Sequence, residues 1–220
     1  RTVLARINQK PDHILSDKRV REAFISACDR KNYNEVLLKG TFMPGKAPIP
    51  PSLDYDFDKL TDPNSYNVER AKKLLDEAGW KDTDGDGIRD KDGKPLKLDF
   101  VVYNSRAELP LYAEAVQADE KKVGIDVKIK TVDYNLIDKM GINGEYDLLI
   151  SNITTAATGD PQSYLNQYWH SNVDGSNPQN GSGYSNPEVD AKLDALNVEF
   201  DPAKRRQLII EIEQLYLNDA

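Results

Sequence analysis

Three stretches decide the fold: Leu96-Lys97-Leu98-Asp99-Phe100-Val101-Val102-Tyr103, Ile125-Asp126-Val127-Lys128-Ile129-Lys130 and Tyr146-Asp147-Leu148-Leu149-Ile150-Ser151-Asn152-Ile153. In the first two, apolar residues alternate with more polar neighbours, the period of a strand that buries one face. The third is apolar through most of its length, as a central strand covered on both faces must be. Glu108 to Val123 reads as a helix closed by Gly124, and residues 134–141 suit a short helix. The order strand, helix, strand, helix, strand predicts an α/β fold with a mostly parallel sheet flanked by helices.

Working outward, residues 2–8 can form a further strand. Ser16 or Asp17 caps a helix over about 17–29, with Val20, Phe24, Ala27 and Cys28 on its buried face. A short second helix runs from Tyr33 to Lys39 and ends at Gly40. Residues 41–66 carry Pro44, Pro48, Pro50, Pro51 and Pro63, which forbid a continuous helix or central strand. This long excursion is either a functional loop or a wrap over the core. Asn67 caps a helix that buries Val68, Ala71, Leu75 and Ala78 and stops at Gly79. After the third strand, Asp160 opens a helix that ends at Trp169, and a Gly/Asn/Ser-rich loop follows over 170–185. Asn186-Pro187 starts a helix with Val189, Leu193, Leu196 and Phe200 on one face. Asp201-Pro202 starts the last helix, with Leu208, Ile212 and Leu215 inward.

Composition excludes several function classes. A formal charge of −8 over 220 residues opposes nucleic acid and anionic membrane surfaces. No apolar run approaches the roughly 18 residues of a membrane span. The one cysteine, Cys28, precludes an internal disulfide and falls on an apolar helical face. The chain opens at Arg1 without a leader and stops after an amphipathic helix without a closing strand, so a piece of a longer protein is expected. The two histidines, His13 and His170, belong to no His-Glu-x-x-His pattern. Nucleophile elbows, Walker loops and dinucleotide glycine turns are likewise missing, so no catalytic residues are assigned.

Two segments carry binding chemistry. In Asp82-Thr83-Asp84-Gly85-Asp86-Gly87-Ile88-Arg89-Asp90, carboxylates at alternate positions resemble the first half of a calcium loop, with Asp82, Asp84, Asp86 and Asp90 as oxygen donors. The twelfth position is Gly93 where such a loop has a bidentate Glu, and an Asp/Gly turn explains the same residues without metal. The second segment, Ser151 to Leu165, leaves the carboxyl end of the third strand and enters a helix. Open α/β sheets bind ligands at the carboxyl ends of their strands. Asn152, Thr154, Thr155 and Thr158, with Ala157 among them, form a small, mostly polar and neutral surface suited to hydrogen-bonding a solute. By the same topology Tyr103, Asn104 and Arg106 follow the first strand and line the same cleft. Tyr164, Tyr168 and Trp169 read as core.

The order of these motifs resembles one family. Asp17-Lys-Arg-Val-Arg-Glu-Ala-Phe-Ile-Ser-Ala-Cys-Asp-Arg30, Gly79-Trp80, the Asp84–Asp90 loop, the strand over 96–103, Asp160-Pro161 with Tyr164-Leu165, and Gly183-Tyr-Ser-Asn-Pro-Glu-Val-Asp190 are similar to the third domain of family 5 solute-binding proteins. These are the peptide and nickel binding proteins of ABC importers. The resemblance implies a type II periplasmic-binding-protein lobe over residues 1–220, the larger half of a monomeric two-lobed clamp. It also implies a position outside the cytoplasmic membrane, lipid-anchored or periplasmic, and delivery of a small solute to permease subunits. No cofactor is required, and structural calcium is the one ion to test. Peptide-binding members place an acidic residue a few positions before the Asp/Glu-Pro pair, to meet the peptide's α-amino group. Aligned on Asp160-Pro161, that position is Ala157, which favours nickel or a nickel chelate as much as an oligopeptide. The rival of another class is a calcium-stabilised cell-surface or adhesion module.

Overall fold

The computed structural model describes residues 1–220. Strand β1 (Thr2–Ile7) leads through a short turn into helix α1 (Lys18–Ala27), which begins where the Asp17 carboxylate accepts the Arg19 N–H. The single helix expected over 33–39 is instead a short α2 (Arg30–Asn32) running into a wider π turn over Tyr33–Leu37. Helix α3 (Val68–Glu77) is capped by Asn67 as its sequence predicts. A hairpin not foreseen in the sequence, β2 (Asp90–Lys91) and β3 (Lys94–Pro95), turns at Asp92-Gly93. Both turn residues have positive φ (54° and 73°), the conformation a tight two-residue hairpin requires.

The remaining elements are β4 (Lys97–Tyr103), α4 (Glu108–Lys121), β5 (Asp126–Val132), α5 (Ile137–Asn143), β6 (Leu148–Ile153), α6 (Gln162–Trp169), α7 (Pro187–Val198) and α8 (Pro202–Asp219). One expectation fails here. Phe200 does not extend the buried face of α7; the helix ends at Val198 and Phe200 is 89% exposed. The Glu199 carboxylate accepts the N–H groups of Phe200 and Asp201, turning the chain before that ring can reach the core.

The four long strands lie in the order β1-β6-β4-β5, with β6-β4 and β4-β5 parallel and β1 antiparallel on the edge. The sheet is thus mostly parallel. Helices α1, α3 and α4 join Leu98, Phe100, Val102, Val127, Leu148 and Ile150 in the larger of two core clusters. Leu4 and Ile153, on the opposite face of β1 and β6, pack against the second cluster, built by α6, α7 and α8. Cys28 is buried in the larger cluster, with its Sγ 3.4 Å from Glu120 Oε1, and burial pushes its thiol well above the ordinary range. No helix is long and apolar enough to cross a membrane.

The proline-rich excursion is a strap across the core. Ile49 and Leu60 are buried, Thr2 Oγ1 donates to Pro48 O at 2.7 Å, and Arg30 binds Asp62 at 2.6 Å. Gln214 of α8 holds Thr61 by both its N–H and its carbonyl. The Ile49 N–H donates to Oε1 of Glu213, a carboxyl on α8 that is 1% exposed. Burial pushes that carboxyl up to about 8, opposed in part by the Ile49 hydrogen bond.

A carboxyl whose pKa is raised by folding binds more protons in the native state, so its ionisation erodes stability as pH rises from its unfolded value toward 8. Glu213→Gln keeps the acceptor for Ile49 without the charge. Urea melts should find the variant close to wild type at pH 4 and more stable at pH 8, by roughly 4 kcal/mol.

Candidate functional site

Because β4, β5 and β6 run in parallel, their carboxyl ends share one edge of the sheet. The β4-β6 ladder is short, with Phe100 opposite Leu148 and Val101 opposite Leu149. Beyond those pairs the strands are joined through a side chain: the Asn152 N–H donates to Tyr103 Oη at 3.2 Å. Asn152 Nδ2 then donates to Glu108 Oε1 at 3.0 Å, tying the end of β6 to the first turn of α4. Tyr134, just after β5, lays its ring edge-on to Tyr103 at a centroid distance of 5.1 Å. The carboxyl ends of all three strands are therefore linked through Tyr103 and Asn152.

These contacts form the floor of a shelf. Asn104 and Arg106 are exposed on the loop after β4, and Thr154, Ala157 and Thr158 are exposed on the loop after β6. Tyr103 and Thr155 depart from the expected role: each is 3% exposed, the first with its hydroxyl taken up by the Asn152 N–H, so neither side chain is offered to a solute. The far end of that loop is fixed by Asp160, whose carboxylate pairs with Arg205 of α8 at 2.7 Å and accepts the Gln162 N–H at 2.8 Å. Gly159, at φ 87°, makes the turn between the two anchors.

Two residues of the shelf were not singled out in the sequence. Glu108 reads there as an ordinary first-turn acid and Tyr134 as part of a short helix. The signal that identifies them is topological: each is the first large side chain beyond a parallel strand's loop. Arg106 and Glu108 both lack an ion-pair partner, so the shelf carries one positive and one negative group.

The remaining candidates lie elsewhere. Asp82, Asp84 and Asp86 converge, each offering an oxygen within 4.8 Å of the others, and all are exposed. Asp90 is turned away from them, accepting from Thr83 N–H and Thr83 Oγ1. The oxygen-only donor set fits a hard cation such as calcium. This loop precedes β4 and contacts Gly124 just before β5 through the Arg89 N–H, so it occupies the amino edge of the sheet. His170 stands 3.3 Å from Asp194 and 3.7 Å from Asp190. Partial burial opposes its protonation, but the Ser171 carbonyl and those carboxylates prevail and raise its pKa. The cavity enclosed between the sheet and α6–α8, lined by Arg6, Ser151, Tyr168 and Tyr184, holds about 30 Å³, room for one water. The aromatic residues Tyr164 and Trp169 are core, as expected.

With this geometry in hand, comparison with known proteins is direct. Residues 1–176 match the family described as bacterial extracellular solute-binding proteins, family 5, middle region. The chain is 32% identical to the oligopeptide-binding protein AppA of Bacillus subtilis over 95% of its own length and 37% of that protein's. It is 29% identical to the nickel-binding protein NikA of Staphylococcus aureus, over 92% of its length and 38% of that protein's. The chain therefore spans well under half the length of these relatives. Among solved structures, B. subtilis AppA in complex with a nonapeptide aligns at TM-score 0.86, with 27% identity, over 99% of this chain and 42% of that one. S. aureus NikA in complex with Ni(L-His)2 aligns at TM-score 0.81, with 26% identity, over 99% of this chain and 43% of that one. The chain belongs to the family 5 bacterial extracellular solute-binding proteins.

Proposed function

We propose that this chain is the larger, ligand-gripping lobe of the substrate-binding component of an ABC importer of the peptide/nickel class. It captures a small solute outside the cytoplasmic membrane, an oligopeptide, nickel or a nickel chelate, and delivers it to the permease subunits. The protein acts as a monomer, lipid-anchored or periplasmic, and performs no catalysis. The observation that carries this reading is the hydrogen-bonded shelf at the carboxyl edge of the sheet, centred on Tyr103 and Asn152. Such an edge is where open α/β folds bind ligands, and the likeness to proteins named for oligopeptides and nickel supports the solute class.

The mechanism is capture by closure. Asn104, Arg106, Thr154 and Thr158 present hydrogen-bonding groups on exposed side chains, while Ala157 leaves room beside them. A second lobe closing over the shelf expels water, which strengthens each of these bonds. Mass spectrometry with elemental analysis of the purified protein should find a peptide mixture, nickel or a nickel chelate bound. Asn152→Ala, which cuts the tie between β6 and α4, should weaken binding of that solute at least tenfold by calorimetry. Turnover of ester or glycoside substrates would overturn the reading.

The convergence of Asp82, Asp84 and Asp86 supports a second, subordinate proposal: these residues hold one structural calcium ion. Its place at the amino edge, remote from the shelf, makes it a brace for the entry into β4. Addition of 1 mM calcium, roughly the concentration of a weak extracellular site, should raise the melting temperature of wild type. The Asp84→Asn/Asp86→Asn double variant should show no such rise. An equal response in both proteins would assign the effect to another site.

A further inference from the structure

The charge of the molecule is not evenly spread. Between the end of α3, the end of α4 and the loop after Trp80 lies a polar cleft of about 430 Å³. Five cationic side chains line it, Lys72, Lys81, Arg89, Lys121 and Lys122, against two acids, Asp76 and Asp82, in a chain whose formal charge is −8. Helix dipoles explain only part of this excess. Lys121 and Lys122 close α4, where a cation offsets the negative helix end, but Lys72 lies within α3, and Lys81 and Arg89 belong to no helix. The acids do not cancel it either. Asp76 is paired with Arg89 at 2.6 Å. Asp82 accepts the N–H groups of Gly85 and Gly87, one on each oxygen, and Asp84 and Asp86 stand outside the cleft wall. Lys72 and Lys122 are engaged with Glu69 and Asp119, whereas Lys81 and Lys121 are exposed and make no ion pair.

Arg89 is the fixed point of the cleft, with its side chain 12% exposed. Nε donates to Val123 O at 2.8 Å, and Nη1 donates to Trp80 O at 2.7 Å as well as to Asp76. All of its bonds use those two nitrogens, so Nη2 keeps its donors free. We propose that this cleft binds a phosphate group, carried either by a soluble phosphate compound or by an anionic lipid headgroup. Phosphate offers several acceptor oxygens and up to two negative charges, which suits one pre-set guanidinium edge supported by lysine point charges. Val123 is the one apolar side chain in the wall, so burial of apolar area cannot supply the affinity and charge must. The negative charge of the chain as a whole does not prevent this. Salt confines its reach to about 8 Å under physiological conditions, and within that range the lysines of the cleft dominate. The cleft lies at the amino edge of the sheet, where the Arg89 N–H binds Gly124 O, so a phosphate held there leaves the shelf at the opposite edge open.

The test titrates the whole protein by calorimetry with sodium pyrophosphate, after divalent cations have been removed on a chelating resin so that none bridges the partners. In parallel, the protein is sedimented with vesicles of phosphatidylglycerol and with vesicles of phosphatidylcholine. Wild type should bind pyrophosphate, phosphatidylglycerol vesicles or both, and leave phosphatidylcholine vesicles unbound. Binding of pyrophosphate alone assigns the cleft to soluble phosphates, and binding of phosphatidylglycerol alone assigns it to lipid headgroups. Lys81→Glu/Lys121→Glu should weaken whichever binding is seen by about tenfold or more, with a melting temperature like that of wild type, since both side chains are exposed. Lys31→Glu/Lys39→Glu makes the same change of net charge on the exposed surface around α2 and should bind as wild type does. Equal weakening in the two double variants would trace the binding to overall charge and overturn the assignment of the cleft. Undiminished binding in Lys81→Glu/Lys121→Glu, or equal binding of the two kinds of vesicle by wild type, overturns it as well. If neither pyrophosphate nor phosphatidylglycerol vesicles bind wild type, the phosphate site falls, and solute capture at the shelf is unaffected.

Discussion

The pairing of β6 with parallel β4 is the constraint on which the rest of the molecule depends. It brings two strands from distant parts of the chain into the centre of the sheet and aligns their carboxyl ends. Since the ladder stops at Val101 and Leu149, the next backbone donor of β6 in that direction must find another acceptor, and the Tyr103 hydroxyl serves. The strand ends stay close through the buried Tyr103 side chain rather than through a backbone ladder. A longer ladder would have satisfied the same groups internally and left the edge without free hydrogen-bonding capacity.

The opposite requirement governs the excursion over residues 41–66. Its prolines deny it a ladder of its own, so it is held from outside, by Gln214 and Glu213 on α8 and by Arg30 on α2. Of the two sequence readings, functional loop or wrap, the contacts made by Ile49, Leu60 and Thr61 are those of a wrap. Glu213 shows its cost, since a carboxyl buried to accept one backbone N–H is held neutral into a range where carboxylates are ordinarily charged.

Much of this was legible in the sequence because periodicity records burial. The alternation of Leu96, Leu98, Phe100 and Val102, that of Ile125, Val127 and Ile129, and the apolar run ending at Ile150 located three strands and with them the carboxyl edge of the sheet. Caps at Asp17, Asn67, Asn186 and Asp201 located the helix starts, since each side chain accepts the N–H its residue type predicts. What escaped was set by tertiary contact. The Asp92-Gly93 hairpin involves two residues per strand, too few for a period to register. Thr155 and Thr154 are alike in sequence, yet one is buried and the other exposed. Phe200 continues the spacing of α7, but Glu199 turns the backbone first. Glu108 gained its place from Asn152, 44 residues away, a relation no local pattern contains.

The two edges of the sheet also divide the acidic charge of the molecule by purpose. At the amino edge, Asp82, Asp84 and Asp86 crowd together in a loop whose backbone N–H groups turn toward them, an arrangement that concentrates negative charge on oxygen donors. At the carboxyl edge Asp160 and Asp133 have their charge or lone pairs already committed, to Arg205 and to Asn135. A shelf with a high density of carboxylates would attract any cation and discriminate poorly among them.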